Sequence, residues 1–459
     1  MNSPEEAPTH NEYSTVPAER IVCKFGGTSL ADAVQIRKVA AIVQSDPRRR
    51  FVVVSAPGKR NRSDQKITDL LLTCWHLAAQ KLDYREPLRL IRERYEQIAR
   101  DLHVSPVSGP VVEMQNELSR LAAGDDRSLA TRDWMAARGE YFHACLIAEF
   151  LGATFVPSGE CIRFNEEGQL DEISYTNLAA RMNGDSIYVV PGFYGRDRQG
   201  RIKTFPRGGS DITGAVVARA VGASVYENWT DVSGLLMADP RVVEKPKAIA
   251  EVTYRELREL AYAGASVLHE ETIFPASEAR IPIQIKNTNR PQDVGTRIVS
   301  QRAASDDAIV GLAGRTGFTT IYIEKSMMNQ QRGFGRRVLE VLETQGISFE
   351  HMPSAIDSMS VIVSDEQLEG KEAGVLRELK RVLEPDRVET YGGLALIATV
   401  GEGMAHRVGV AGQLFAALRD AQVNVRMISQ GASEINIIVG VEASEYQRAA
   451  QAIYDAFVN

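Results

Sequence analysis

The sequence predicts an α/β protein: a mainly parallel sheet between helices to about Ser300, then two small ferredoxin-like modules in tandem. Three observations predict it. Short β-branched runs such as "FVVVSAP" (Phe51–Pro57) suit strands covered on both faces. Strands alternate with helical patterns, the order of a parallel-sheet domain. Finally, Gly333–Val363 aligns without gaps on Gly409–Val439, 76 positions downstream. An internal repeat of this kind decides the architecture of its region.

The elements follow in order. "RIVCKF" (Arg20–Phe25) reads as a strand, and apolar residues then recur at helical spacing from Ala31 to Val43. With Phe51–Pro57 this makes a parallel β-α-β unit. Helical patterns run from Ile67 to about Leu121 and from Ser128 to Leu151. "SIYVVPGFYG" (Ser186–Gly195) is a strand ending in a Pro-Gly turn. Gly200–Ala223 reads as hairpin, glycine turn and helix, and Ser224–Arg241 as a strand running into a loop. In the repeat, Val338 matches Leu414, Leu342 matches Leu418 and Val361 matches Ile437. Each copy predicts a helix with one apolar face, then two alternating strands. Each is preceded by a strand (Thr319–Glu324; Leu394–Val400) and followed by a helix (Gly370–Leu383; Ser444–Phe457). That is the β-α-β-β-α plan. The segments expected are a loose tail (1–19), an α/β domain (20–300) and two modules (315–390 and 391–459), with possible strand exchange between the modules.

Composition narrows the function. The 459 residues carry a net charge of −7, which gives no reason to expect nucleic acid. The four cysteines are scattered without a Cys-x-x-Cys pair, so neither a zinc site nor a disulfide framework is expected. The start lacks the basic and apolar regions of a secretory signal, and no later run is long and apolar enough for a bilayer. A cytoplasmic protein without membrane contact is expected.

Four stretches could carry chemistry. In "CKFGGTSL" (Cys23–Leu30) a strand ends in a lysine, two glycines and two hydroxyl residues, then meets a helix. Backbone amides and a helix start at one point can hold phosphate oxygens. The lysine precedes the glycines, the reverse of the common phosphate loop, which is absent, as is the protein-kinase set. "PRGGSDITGA" (Pro206–Ala215) repeats the basic-Gly-Gly design; Ser210 or Asp211 could alternatively cap the helix that follows. "WTDVSGLLMADPR" (Trp229–Arg241) puts polar groups at a strand's carboxyl end, where open α/β sheets bind ligands. In "AARGEYFHACLIAEFLG" (Ala136–Gly152), Glu140 lies inside an apolar helical pattern. A carboxylate there needs a partner: Arg138, another neighbour or a substrate ammonium group.

"KFGGTSLAD", "VVVSAPG", "ITDLL", "RGE", "PGFYG", "RGGSD", "TDVSG" and "DPR" occur in the order seen in aspartate kinases. "GASVLHEETIFPA" (Gly264–Ala276) and "ASEINIIVGV" (Ala432–Val441) resemble that family too, so the likeness covers nearly the whole chain beyond about Arg20. It implies the amino-acid kinase fold, two C-terminal ACT domains, and transfer of the γ-phosphoryl of ATP to the side-chain carboxylate of L-aspartate. It further implies that Lys24 contacts the phosphates, that Asp211 orients Lys24, and that Gly26, Gly27, Gly208 and Gly209 offer amides. Arg207 would clamp the aspartate α-carboxylate and Glu140 would receive the α-ammonium. Ser55, Thr68, Phe193 and Ser210 would line that pocket, and Thr230, Asp231, Asp239 and Arg241 would hold the nucleotide. Mg²⁺ would ride on the ATP phosphates with no direct protein ligand. Some members have a tyrosine where this chain has Leu236 and a lysine where it has Ser266; Lys245 or Lys247 would substitute in holding the adenine. For regulation the resemblance implies a feedback amino acid, lysine and/or threonine, between ACT repeats. Met328, Phe334, Gly335, Glu350 and Asp357 would receive it, and Ser433 replaces Asp357 in the second copy. A homodimer or homotetramer through the ACT domains is expected. Kinases for glutamate, N-acetylglutamate or UMP, and a sensor with an inactive kinase half, are the competing readings.

Overall fold

A computed structural model describes residues 19–206, 208–265, 268, 270–303 and 307–458. Of the expected tail (1–19) only Glu19 is described, paired with Arg48; residues 1–18, Arg207 and Ser266 lie outside the described residues. The chain forms two compact units: 1–231 with 274–283, and 232–273 with 284–459.

The first unit begins with β1 (Ile21–Phe25), α1 (Ala33–Gln44) and β2 (Arg49–Val54). Asp32 caps α1 by accepting the Gln35 amide at 2.9 Å, a contact worth about 1 kcal/mol. Four helices follow: α2 (Ile67–Ala79), α3 (Arg85–Leu102), α4 (Ser108–Ala123) and α5 (Arg132–Leu151). The breaks come where Lys81 and His103 adopt positive φ, at 60° and 58°. Then come β3 (Thr154–Phe155), α6 (Ser158–Cys161), α7 (Ile173–Arg181) and β4 (Tyr188–Pro191). The hairpin β5 (Tyr194–Arg196) and β6 (Ile202–Thr204) leads to α8 (Gly209–Val221) and β7 (Val225–Thr230). The strands order as β3-β4-β2-β1-β7 and every pairing is parallel. Their carboxyl ends therefore lie on one edge, and that edge carries Lys24, Ser55, Phe193 and Thr230. Both faces are covered, so Val22, Val52, Val53 and Val189 are fully buried. α5 is buried nearly all round, with Trp134, Met135, Phe142 and Ile147 in the core between it, α2 and α3.

The second unit starts with β8 (Glu251–Thr253) and α9 (Tyr254–Tyr262), which opens on a Thr253–Glu256 capping box. Beyond α10 (Glu270–Glu278), β9 (Ile283–Asn287) and β10 (Thr296–Val299) order as β9-β10-β8. The repeat then builds one five-stranded antiparallel sheet. Its members are β11 (Gly311–Glu324), β12 (Ser358–Ser364), β13 (Arg387–Val400), β14 (Met427–Ser429) and β15 (Asn436–Glu442), in the order β12-β11-β13-β15-β14. Helices α11 (Phe334–Thr344), α12 (Asp365–Leu368), α13 (Glu372–Leu383), α14 (Val410–Asp420) and α15 (Tyr446–Val458) complete it.

Two features differ from the sequence expectation. The strands opening the two copies are longer than Thr319–Glu324 and Leu394–Val400. β11 and β13 pair along their whole lengths; β12 joins the later half of β11, and β15 the later half of β13. Each long strand thus serves both modules. In addition, the first of the two strands expected after α11 is reduced to the bridges His351↔Ile362 and Ser354↔Met359. Pro353 explains the gap. Its carbonyl accepts the Ser360 amide, but it has no N–H to return.

Candidate active site

The first unit gathers its polar groups at the carboxyl edge. β1 delivers Lys24, whose Nζ lies 2.5 Å from Asp211 Oδ1, with the two side chains 9% and 20% exposed. The same oxygen accepts the Asn228 amide at 2.8 Å. Asp211 stands in the first turn of α8, but it does not cap that helix. Gly208 occupies the cap position at φ 57°, and no side chain caps there. The capping alternative for Ser210 or Asp211 is therefore overturned, because the carboxylate is committed to Lys24 and Asn228. A lysine ammonium is a compact charge with rotatable donors, and a partner held from two sides fixes where it points.

The two glycines after Lys24 act differently. The Gly26 amide donates to the Trp229 carbonyl at 3.0 Å, so it continues the pairing of β1 with β7 and is not free for a phosphate here. Gly27 meets the loop after β2: its carbonyl accepts the Gly58 amide at 2.8 Å. A Cβ on Gly58 would stand 2.5 Å from the Gly27 carbonyl carbon, so the two loops touch backbone to backbone. Arg94, buried on α3, donates to the Gly58 and Ala31 carbonyls and pairs with Asp64 at 2.7 Å. Those bonds tie both loops to the helical layer.

α5 approaches the loop after β2, where a Cβ on Gly139 would meet the Ala56 Cβ at 2.9 Å. Ser55 directly follows β2, and the Ala56 amide faces the Glu140 carboxyl, acting against the rise in its pKa. Glu140 is 6% exposed, and its Oε2 has no hydrogen-bond partner. Burial pushes its pKa up to about 7. Arg138 is not its partner. The guanidinium stacks between the Trp134 and Tyr141 rings, with its carbon 4.3 and 4.6 Å from their centroids. Residues two apart on a helix do not face each other. Thr68, half-buried, stands in the first turn of α2. Phe193 holds φ at 81°, an uncommon value for a bulky residue. Its amide donates to Thr213 Oγ1 at 3.0 Å, and a Cβ on Gly192 would stand 2.6 Å from Ser210 Oγ, so the β4 turn lies directly on the start of α8. Backbone strain of this kind collects at functional sites. Thr230 and Asp231 end β7, where the Thr230 hydroxyl donates to Asp231 at 3.2 Å.

The second unit holds the remaining candidates. A cavity of about 520 Å³ is lined by Leu235, Leu236, Ile249, Leu257 and Leu260, together with Asp239 and Arg241. Arg241 donates to Asp239 at 2.6 Å and holds its carboxyl below the usual range. Lys247 gives its ammonium to the Val458 carbonyl at 2.6 Å, and Lys245 takes φ 47°. Of the expected regulatory residues, Met328 and Phe334 are buried in the core of the first module. Gly335 faces the Met359 and Met352 tips. Asp357 is exposed and accepts the Met327 amide at 2.8 Å, a turn role. Glu350 lies 3.6 Å from Arg315 and lines a small hollow with Tyr262. Ser433 lines a separate hollow with Arg255 and Arg258.

Comparison with known proteins fits this arrangement. A model of the amino acid kinase family matches residues 19–287, and an ACT domain model matches 397–457. Aspartokinase 3 of Bacillus subtilis is 42% identical over 447 residues, 95% of this chain and 98% of that one. The chain belongs to the aspartokinase family. The aspartate kinase of Clostridium acetobutylicum shares 44% identity at a TM-score of 0.87, over 96% of this chain and all of that one. Escherichia coli aspartokinase III is matched over 96% of this chain and 100% of that one in two states. Bound to aspartate and ADP it is 30% identical at a TM-score of 0.74; bound to lysine and aspartate, 29% at 0.73.

Two residues of this aspartokinase chain were missed by the sequence reading. Asn228 is a lone amide in a buried strand run. His143 lies three positions beyond Glu140 on an apolar helix. Both carried the same signal, a polar group where burial demands a partner.

Proposed function

We propose that the chain transfers the γ-phosphoryl of ATP to the β-carboxylate of L-aspartate, giving 4-phospho-L-aspartate. The observation that carries this is Lys24, held by Asp211 at a strand end between two glycine loops. The acceptor carboxylate is ionised at neutral pH, so no general base is needed. Positioning and electrostatic stabilisation then supply the catalysis. Lys24 neutralises charge on the moving phosphoryl. Asn228 and Asp211 keep its ammonium in place. Gly27, Gly208 and Gly209 offer amides, and Arg207 clamps the α-carboxylate by a bidentate grip. Glu140 takes the α-ammonium, while Ser55, Thr68, Phe193 and Ser210 shape the pocket. Thr230, Asp231, Asp239 and Arg241 serve the nucleotide. Thr230 and Asp231 are oxygen donors of the kind Mg²⁺ accepts, and the ion, carried on the phosphates, would offset their charge.

A coupled assay with ATP, Mg²⁺ and L-aspartate tests the reading. Turnover is expected in the native chain and lost in Lys24→Ala with the fold retained by circular dichroism. Unchanged turnover in that variant would refute the role of Lys24. Feedback is proposed through the ACT repeats, with lysine the first ligand to try because an aspartokinase relative binds it. Glu350 is the carboxylate offered to its ammonium group. Titrating activity with lysine and with threonine decides this; a flat response to both sinks it. Light scattering gives the oligomeric state, expected to be a dimer or tetramer.

A further inference from the structure

The face of α5 that carries Glu140 also carries His143, fully buried and one turn on. Its Nδ1 stands 2.8 Å from the Ser55 carbonyl oxygen. A carbonyl can only accept, so Nδ1 bears the proton and Nε2 is bare; Nε2 has no hydrogen-bond partner. The Ser55 carbonyl and the Ala56 amide belong to one peptide unit, so the 2.8 Å bond from His143 fixes the plane that also turns the Ala56 amide toward the Glu140 carboxyl. Packing reinforces that bond. A Cβ on Gly139 would stand 2.9 Å from the Ala56 Cβ, so α5 lies flush against the loop. The Tyr95 ring meets the imidazole edge-on, with centroids 6.3 Å apart.

We propose that His143 is a positioning residue: by holding the Ser55 carbonyl, it sets the plane of the peptide that presents Ser55 to the amino-acid substrate. This rests on the aspartate reading of the site. A consequence follows for the phosphate side. The loop also reaches Gly27 through Gly58, so losing the His143 bond disturbs the acceptor side first and the phosphate side second.

The burial that makes His143 useful also keeps it neutral, with its pKa lowered to about 4. It therefore remains a hydrogen-bond donor to one fixed acceptor across the working pH range. An asparagine places its amide N–H near the position of Nδ1–H, whereas a leucine fills the space without a donor. Kinetics and hydrogen exchange on the full chain separate these. His143→Leu is expected to raise KM for aspartate about tenfold or more, the scale for a buried acceptor left unmet, with KM for ATP changed less than about threefold. Exchange of the Ala56 amide should quicken at least about tenfold. His143→Asn should restore aspartate KM and Ala56 protection to within about threefold of the native chain. An unchanged aspartate KM and Ala56 protection in His143→Leu would overturn the inference. So would His143→Asn being as impaired as His143→Leu. If the native chain fails to phosphorylate aspartate, the substrate reading falls, and Ala56 exchange in the two variants alone decides the role of His143.

Discussion

Glu140 pays for its position with an ill-placed charge. Its folded-state pKa of about 7 lies above the ordinary carboxylate value of ~4.3. Between these values the folded chain keeps a proton that the unfolded chain has lost, so stability falls as pH rises through that window. Glu140→Gln keeps the shape and removes the charge. It is expected to raise stability by roughly 2–4 kcal/mol at pH 8 and to change it little at pH 5. Urea unfolding followed by tryptophan fluorescence checks this, since Trp75, Trp134 and Trp229 all lie in the first unit. The same variant should lose aspartate binding by tenfold or more, on the order expected for a substrate charge left unpaired. An equal gain at both pH values would show that the ionised form is not what costs stability. Asp211→Asn should leave Lys24 without its counter-charge and lower kcat more than it raises KM for ATP; a pure KM effect would contradict its orienting role.

At the scale of elements, the loops after β1 and β2 touch backbone to backbone. Gly58→Ala places a Cβ 2.5 Å from the Gly27 carbon and 2.7 Å from the Thr28 amide, so one loop must retreat. The expected cost is about 1–3 kcal/mol, with KM for ATP rising more than KM for aspartate, because the Gly27 side moves. The two KM values measured side by side decide it. The parallel strands were legible because β-branched runs such as Phe51–Val54 have no other stable placement. The Lys24 and Asp211 pair was legible through the family's ordered motifs. The breaks in the helical stretch from Ile67 were not. They rest on Lys81 and His103 taking positive φ, a conformation their residue types do not advertise. The bond from His143 to the Ser55 carbonyl was also hidden, because its two ends lie 88 residues apart and meet only through packing. Pro353 was visible, but its effect depended on which neighbour needed the missing amide.

At the scale of the molecule, β11 and β13 settle how the C-terminal repeat behaves. Residues Gly311–Thr316 pair with Ala395–Val400, and Phe318–Glu324 with Arg387–Leu394. A chain ending at Glu384 loses β13 and bares the whole length of β11. An exposed strand edge that long is a template for association. Such a chain is expected to elute as aggregate in size exclusion, and a soluble monomer with native circular dichroism would refute this. Neither ACT module owns a complete sheet, so the pair cannot be assigned separate melting points. Loosening one loosens the other, and a ligand that tightens one repeat lends its binding energy to both. Two changes made in different repeats, one near Glu350 and one near Ser433, should therefore combine non-additively in a double-mutant cycle, and strict additivity would show that the shared strands do not couple the repeats.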